Sequence, residues 1–373
     1  AECNWRPSSE FERCTPPASA PRTAARPTDQ PPTRRPSAMA SVGCNGLPIP
    51  DYIAATTADM TVLENHHKLK LQRYTWPASR QGAEARGVVL ILHGVSSSLC
   101  YEYLCHVTYP EGSKSGLESG YEGAEFHEPR YEGSWVEAMN KAGFTVSGVD
   151  QESYGLSQSI RPGTLHYFDA LEDLVDDQLL LIETVKEECP GLPIFVMGES
   201  LGGCVAARVA ERSVDIAGTV LLAPMLSLDQ VRAKPINRLL LPISGCMSAL
   251  LPTLRVAHKD IHIEPRQEKH YNADPLNEQG MIRARVAFEC LEAVDRARAN
   301  VSRISKPIFI LHSKNDTMTD PSGSQFLYDN VGTEDKRFEF LDFKHLWHAL
   351  PMEPGNSEIL AMVLDWLDQK TAA

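Results

Sequence analysis

The stretch that decides the fold is Gly198-Glu199-Ser200-Leu201-Gly202, which lies between the apolar run IFVM (194–197) and a helical pattern that begins at Leu201. A serine flanked in this way, directly after a strand and before a helix, is typical of a nucleophile elbow. The turn must be sharp, so Gly198 and Gly202 occupy positions that leave no room for a side chain. Ser200 is therefore predicted to be a nucleophile at a helix N-terminus, where free N–H groups favour developing negative charge.

Strands and helices alternate on both sides of this turn. Apolar, β-branched runs predict buried strands at 87–92, 144–149, 193–197, 217–222, 307–311 and 337–341. Amphipathic patterns predict helices at 132–142, 167–188, 201–211 and 357–369. Segments 61–65 and 68–76 read as an antiparallel pair that turns near His66-His67. This alternation predicts an α/β fold, with a mostly parallel central sheet and helices on both faces.

The chain divides into four parts by composition. Residues 1–45 are rich in Pro, Ser and Arg, and we interpret them as a disordered tail. Residues 46–223 form the first part of the core, with a polar insertion at about 96–129. Residues 224–305 show helical patterns without a clear buried strand and are too long for a loop, so we expect an inserted helical cap. Residues 306–373 complete the core.

The acid and the base that would activate Ser200 are expected after later strands, where an open α/β sheet places its site. Asp316 follows the predicted strand at 307–311, and His345 follows the one at 337–341. We favour Asp316 over Asp320, because Asp320 precedes Pro321 and reads as the start of a helix. We favour His345 over His348 because it lies nearer the end of its strand.

Two backbone N–H groups are expected to bind the oxyanion of a tetrahedral intermediate. One belongs to Leu201, the residue after the nucleophile, and the other comes from the loop after an earlier strand. His93-Gly94-Val95 follows the strand at 87–92 and occupies that place, so we predict the N–H of Val95 as the second donor. His93 itself is interpreted as structural.

The formal net charge of −13 argues against nucleic acid as a partner, because phosphate binding needs a basic surface. No apolar run is long enough for a membrane span, and nine scattered cysteines favour reduced thiols and a cytoplasmic location. We expect no cofactor and no metal. His345-x-x-His348 lacks the HExxH spacing of a zinc site.

Five motifs in this order resemble the monoacylglycerol lipase and lysophospholipase branch of the α/β-hydrolases, also labelled serine aminopeptidase S33-like. They are LILHG (90–94), GVDQESYGLS (148–157), FVMGESLGG (195–203), SKND (313–316) and KHLWH (344–348). The resemblance covers about residues 60–370 and implies the α/β-hydrolase fold. It implies Ser200, Asp316 and His345 as the triad and Val95 and Leu201 as oxyanion donors. The insertion after His93 is longer than in the mammalian lipase.

The resulting hypothesis is a serine hydrolase that cleaves the carboxylic ester of a monoacylglycerol or lysophospholipid. Apolar residues of the cap, among them Leu239 and Leu250, could touch a membrane surface reversibly. The alternative is an esterase for small or aromatic-acyl soluble esters, since some motifs are similar to plant caffeoylshikimate esterases. A third hypothesis is a non-catalytic binding protein on the same scaffold.

Overall fold

The computed structural model describes residues 42–78, 85–113, 115–257 and 264–372. Most of the predicted tail therefore lies outside the described residues. Its last residues, 42–45, contact the core: the N–H of Asn45 donates to the carbonyl of Leu156, and its side-chain amide donates to the carbonyl of Gly155. The predicted tail boundary at residue 45 is thus several residues too late.

The central sheet has eight strands in the order β1-β2-β6-β3-β7-β8-β11-β12. Within the described residues, the pairings of β2 with β1 and with β6 are antiparallel and the other pairings of this sheet are parallel. The strands along the chain are β1 (Asp59–Glu64), β2 (Lys70–Trp76), β3 (Gly87–Leu92), β4 (Cys105–Thr108), β5 (Glu125–Arg130), β6 (Phe144–Val149), β7 (Ile194–Glu199), β8 (Gly218–Leu222), β9 (Arg255–Ala257), β10 (Ile282–Arg283), β11 (Ile308–Ser313) and β12 (Lys336–Leu341).

The inner strands of this sheet carry apolar side chains on both faces, and helices cover both faces because these side chains must be buried. In β3, Val88 and Leu90 belong to one hydrophobic core, and Val89 and Ile91 belong to the other. The predicted α/β fold is confirmed. The helices are α1 (Asp51–Ala54), α2 (Leu99–Tyr103), α3 (Trp135–Lys141), α4 (Leu171–Glu188), α5 (Leu201–Arg212), α6 (Asp229–Ala233), α7 (Pro235–Leu240), α8 (Ser244–Leu250), α9 (Pro265–Ala273), α10 (Ala284–Asn300), α11 (Pro321–Asn330) and α12 (Asn356–Thr371).

The two intervals that interrupt the alternation contain more structure than the sequence indicated. The insertion holds α2 and an antiparallel ribbon of β4 and β5, separate from the central sheet. The predicted cap holds α6 to α10 and a second short ribbon, β9 with β10. In the described part of the chain, no helix is both long and apolar enough to cross a bilayer.

Candidate active site

Ser200 lies at the junction of β7 and α5, with φ 54° and ψ −115°. This conformation is strained for a residue with a side chain and is typical of a nucleophile elbow. The two flanking glycines permit it. A Cβ on Gly198 would come within 2.2 Å of the carbonyl oxygen of Gly202, and a Cβ on Gly202 would come within 2.4 Å of that of Leu92. The N–H of Ser200 donates to the carbonyl of Leu222 in the neighbouring strand, which holds the turn against the sheet.

Asp316 follows β11 and is paired with His348. The Nδ1 atom of His348 is 2.6 Å from Oδ2 of Asp316, and both side chains are buried. The N–H groups of Met318 and Thr319 donate to the other carboxylate oxygen. Burial alone would raise the pKa of Asp316, but His348 and His312 outweigh it and hold that pKa well below its usual range. The carboxylate is therefore ionised, as an orienting acid must be.

Among the described residues, the histidine that pairs with Asp316 from this loop is His348 and not His345, the predicted base. His345 is only half-buried and lies against Gly120 of the insertion, where a Cβ would be 2.9 Å from its Nδ1. The chain turns at residues 344–345, and His348 follows with its side chain buried. The sequence analysis favoured His345 because it lies nearer to β12. The path of the chain after β12, which the sequence does not show, instead brings the imidazole of His348 to Asp316.

The two predicted oxyanion donors meet one requirement of this role, which is an N–H group that no other acceptor occupies. Among the residues that the structure describes, neither the N–H of Val95 nor that of Leu201 has a hydrogen-bond partner. Leu201 is the first residue of α5, so its N–H is free by the geometry of a helix start. His93 is neutral and structural: burial lowers its pKa to about 4, and its Nε2 accepts the N–H of Gln151.

Three buried carboxyl groups that the sequence analysis missed hold the loops around Ser200. Both carboxylate oxygens of Glu102 accept the N–H of Gly94, at 2.9 and 2.8 Å. Glu199, next to the nucleophile, accepts the N–H of Leu350 at 2.8 Å. Glu353 accepts the N–H groups of residues 347–349, including that of His348. The oxyanion loop, the elbow and the histidine loop are thus tied together by carboxylates.

An apolar cavity of about 570 Å³ opens onto Ser200. Val95, Ser200 and Thr319 form its base, and Thr319 also donates a hydrogen bond from its hydroxyl to Asp316 at 2.9 Å. Most of the remaining lining comes from α6 to α8 and α10, with Leu228, Val231, Leu240, Leu241, Met247, Phe288 and Leu291 among the apolar side chains. This volume lies in the range of small-molecule sites, and the lining suits a hydrocarbon chain.

Comparisons with known proteins agree with this geometry. The model of the family described as serine aminopeptidase, S33 matches residues 121–355. Human monoglyceride lipase is 26% identical over 279 residues, which cover 73% of this chain and 88% of that protein. Caffeoylshikimate esterase of Arabidopsis thaliana is 27% identical over 241 residues, 61% of this chain and 70% of that protein.

A solved structure of monoglyceride lipase from Saccharomyces cerevisiae, a soluble variant in complex with a substrate analogue, superposes with a TM-score of 0.63 at 17% identity. The superposition covers 87% of this chain and 99% of the yeast chain. The resemblance inferred from the five motifs is confirmed, and so is the expectation of a carboxylic ester hydrolase. The chain belongs to the serine aminopeptidase S33 family and folds as an α/β-hydrolase.

Proposed function

We propose that the chain hydrolyses the ester of a monoacylglycerol or a lysophospholipid through an acyl-enzyme on Ser200. The observation that carries this proposal is the apolar cavity that opens directly onto the serine. Each buried methylene contributes about 0.8 kcal/mol, so such a cavity selects for an acyl chain. The similarity to monoglyceride lipases, each about a quarter identical, supports the same substrate class.

The residues of the site suggest a role for each group. His348 accepts the proton of the Ser200 hydroxyl as its oxygen attacks the ester carbonyl, and Asp316 stabilises the imidazolium that forms. The N–H groups of Val95 and Leu201 bind the oxyanion. The intermediate collapses, His348 gives its proton to the leaving alcohol, and the acyl group remains on Ser200. Water then attacks this ester with His348 as base, which releases the fatty acid and restores the serine.

A peptidase activity, which the family description suggests, has less support. An aminopeptidase needs an acidic group to bind the free amino terminus of its substrate. No Asp or Glu from the described residues lines the cavity, whereas two basic residues, Arg232 and Lys234, do. An esterase for soluble aromatic-acyl esters is the second candidate, supported by the similarity to caffeoylshikimate esterase.

The test has two parts. A fluorophosphonate probe should label the full chain but not the Ser200→Ala variant; absence of labelling would favour a non-catalytic binding protein. A series of monoacylglycerols and nitrophenyl esters of increasing acyl length should then give kcat/KM values that rise with chain length. A flat profile, or an optimum at short or aromatic acyl groups, would contradict the lipid substrate and favour the second candidate.

We also propose that the cap contacts a membrane surface reversibly. Several large apolar side chains are exposed on the segments that line the cavity: Ile236, Leu239, Ile243, Leu250 and Leu251. Exposed apolar side chains on segments beside a lipid-sized cavity are expected for an enzyme that takes its substrate from a bilayer. The acidic chain would gain nothing from anionic lipids, so the contact rests on apolar burial.

A further inference from the structure

We propose that His66, His67 and Asp173 bind a zinc-class divalent cation. The site lies at the turn between β1 and β2 and is independent of the proposed hydrolase activity. Two imidazoles and one carboxylate converge there, and their ligand atoms all lie within 4.8 Å of one another. Imidazole nitrogen with a carboxylate oxygen is a donor set that suits zinc, whereas magnesium and calcium prefer oxygen alone.

The spacing of the donor atoms supports this assignment. Nε2 of His66 is 3.8 Å and Nε2 of His67 is 3.9 Å from Oδ1 of Asp173. With bonds of about 2.0–2.1 Å, the donor atoms of a tetrahedral zinc site lie roughly 3.4 Å apart. The two separations from Asp173 are thus about half an ångström too long, and partly exposed side chains can shorten them through rotamer adjustment.

Both elements that carry the donors are held in place. The side-chain oxygen of Asn65 accepts the N–H groups of His67 and Leu69, each at 3.0 Å, and this fixes the turn that presents the histidines. Asp173 lies in the first turn of α4, whose apolar face is buried in the core. The donors thus come from a braced turn and a packed helix, which lowers the entropic cost of ordering them around an ion.

A buried carboxyl group lies behind His67. The side chain of Glu152 is fully buried, with the side chain of Asn65 as a hydrogen-bonding neighbour. Its Oε2 lies 3.7 Å from Nδ1 of His67. If Nε2 of His67 binds the ion, Nδ1 carries the proton and points at this carboxylate. A carboxylate behind a metal-bound histidine is the usual arrangement that fixes its tautomer.

No lysine or arginine among the described residues forms an ion pair with Asp173, so its carboxylate is available to a cation. The sequence did not predict this site, because Asp173 reaches the histidine turn only through the fold.

The test is zinc binding by the full chain, measured by titration calorimetry. We expect one Zn²⁺ that is lost in His66→Ala, His67→Ala and Asp173→Asn, and an affinity about 10- to 100-fold lower in Glu152→Gln. His345→Ala is the matched control and should bind zinc as the parent does. Because the nine cysteines could also bind zinc, the Co²⁺ complex is examined by visible absorption and should lack a thiolate charge-transfer band.

Two outcomes overturn the proposal. One is unchanged zinc stoichiometry and affinity in a His66→Ala/His67→Ala double variant. The other is a cobalt spectrum with thiolate bands that the histidine variants do not alter. Thermal unfolding of the metal-free variants shows whether each is folded. His66 is nearly half exposed, so its replacement leaves the core intact and a loss of binding reports on the ligand itself.

Discussion

The imidazole of His348 is positioned by one short hydrogen bond to Asp316 and by the N–H contact of its own backbone with Glu353. We predict that His348→Ala lowers kcat/KM for an ester by at least about 10³-fold, because the proposed acceptor of the Ser200 proton is lost. His345→Ala should change it less than about tenfold, since its ring packs against the insertion. The reverse ranking, measured by steady-state kinetics on folded variants, would restore His345 as the base.

The ionisation of His348 predicts the acid limb of the pH profile. Burial alone would lower its pKa, but the Asp316 carboxylate outweighs this and raises the pKa above the ordinary value of an imidazole. The proposed base acts only when neutral, so kcat/KM should fall as the pH drops through this raised pKa, by about tenfold per pH unit. Asp316→Asn should shift this limb to lower pH while it reduces the plateau. An acid limb that Asp316→Asn leaves unmoved would contradict the pairing.

The positions of the site residues were partly predictable from the sequence. The place of Ser200 at a sharp turn was predictable because its flanking glycines and the adjoining strand and helix all indicate that turn. The place of Asp316 was predictable because it comes soon after a buried strand. The pairing of His348 with Asp316 was not predictable, because several loop residues separate His348 from β12 and the loop is held by a contact distant in sequence, in which the N–H of Leu350 donates to Glu199.

At the level of elements, the carboxyl groups behind the elbow connect three loops. Burial raises the pKa of Glu199 well above its ordinary value, and the nearby charge of Glu102 raises it further. Burial also raises the pKa of Glu102, to about 7, while the hydrogen bonds from Glu199 and from the N–H of Gly94 lower it. We therefore expect Glu199 to hold the proton that the pair shares, with Glu102 as the acceptor for the N–H of Gly94.

This assignment predicts different effects of two isosteric changes. Glu199→Gln replaces one neutral group with another and should leave kcat/KM within about threefold of the parent. Glu102→Gln removes the charged acceptor that holds the oxyanion loop, which costs about 1–3 kcal/mol and lowers kcat/KM roughly 10- to 100-fold. Steady-state kinetics on both variants, with circular dichroism as a folding check, tests the difference. Equal effects would mean that the proton is not placed as assigned.

The regular elements were predictable because hydrophobic periodicity reports burial directly. The strands of the central sheet and α4, α5 and α12 lie where the pattern placed them, within a few residues. The ribbon of β4 and β5 was not predictable. Its strands are short, and β5 contains Pro129 and charged residues, so no apolar alternation marks it. Its pairing depends on contacts across the insertion rather than on local propensity.

For the whole molecule, the exposed side chains of the cap predict binding to lipid vesicles. Leu239 and Leu250 are 72% and 79% exposed, and inserting both into a bilayer contributes about 3–6 kcal/mol at most. A Leu239→Ser/Leu250→Ser variant should bind phosphatidylcholine vesicles at least about tenfold more weakly in a sedimentation assay. Val214→Ser, at a site 70% exposed outside the cap, is the control. Equal binding by all three proteins, or binding that requires anionic lipid, would contradict the apolar contact.

One segment of the chain supplies most of the cavity lining, and this bears on how substrate preference could change. Apart from Val95, Ser200, Met225 and residues 317–319, every lining residue comes from the single stretch 228–291. The proposed chemical groups are all encoded outside that stretch. Substrate preference can therefore change without a change in the residues that cleave the ester. Exchanging this one segment between two relatives should exchange their acyl-chain-length profiles and leave the residues for acyl transfer as they were.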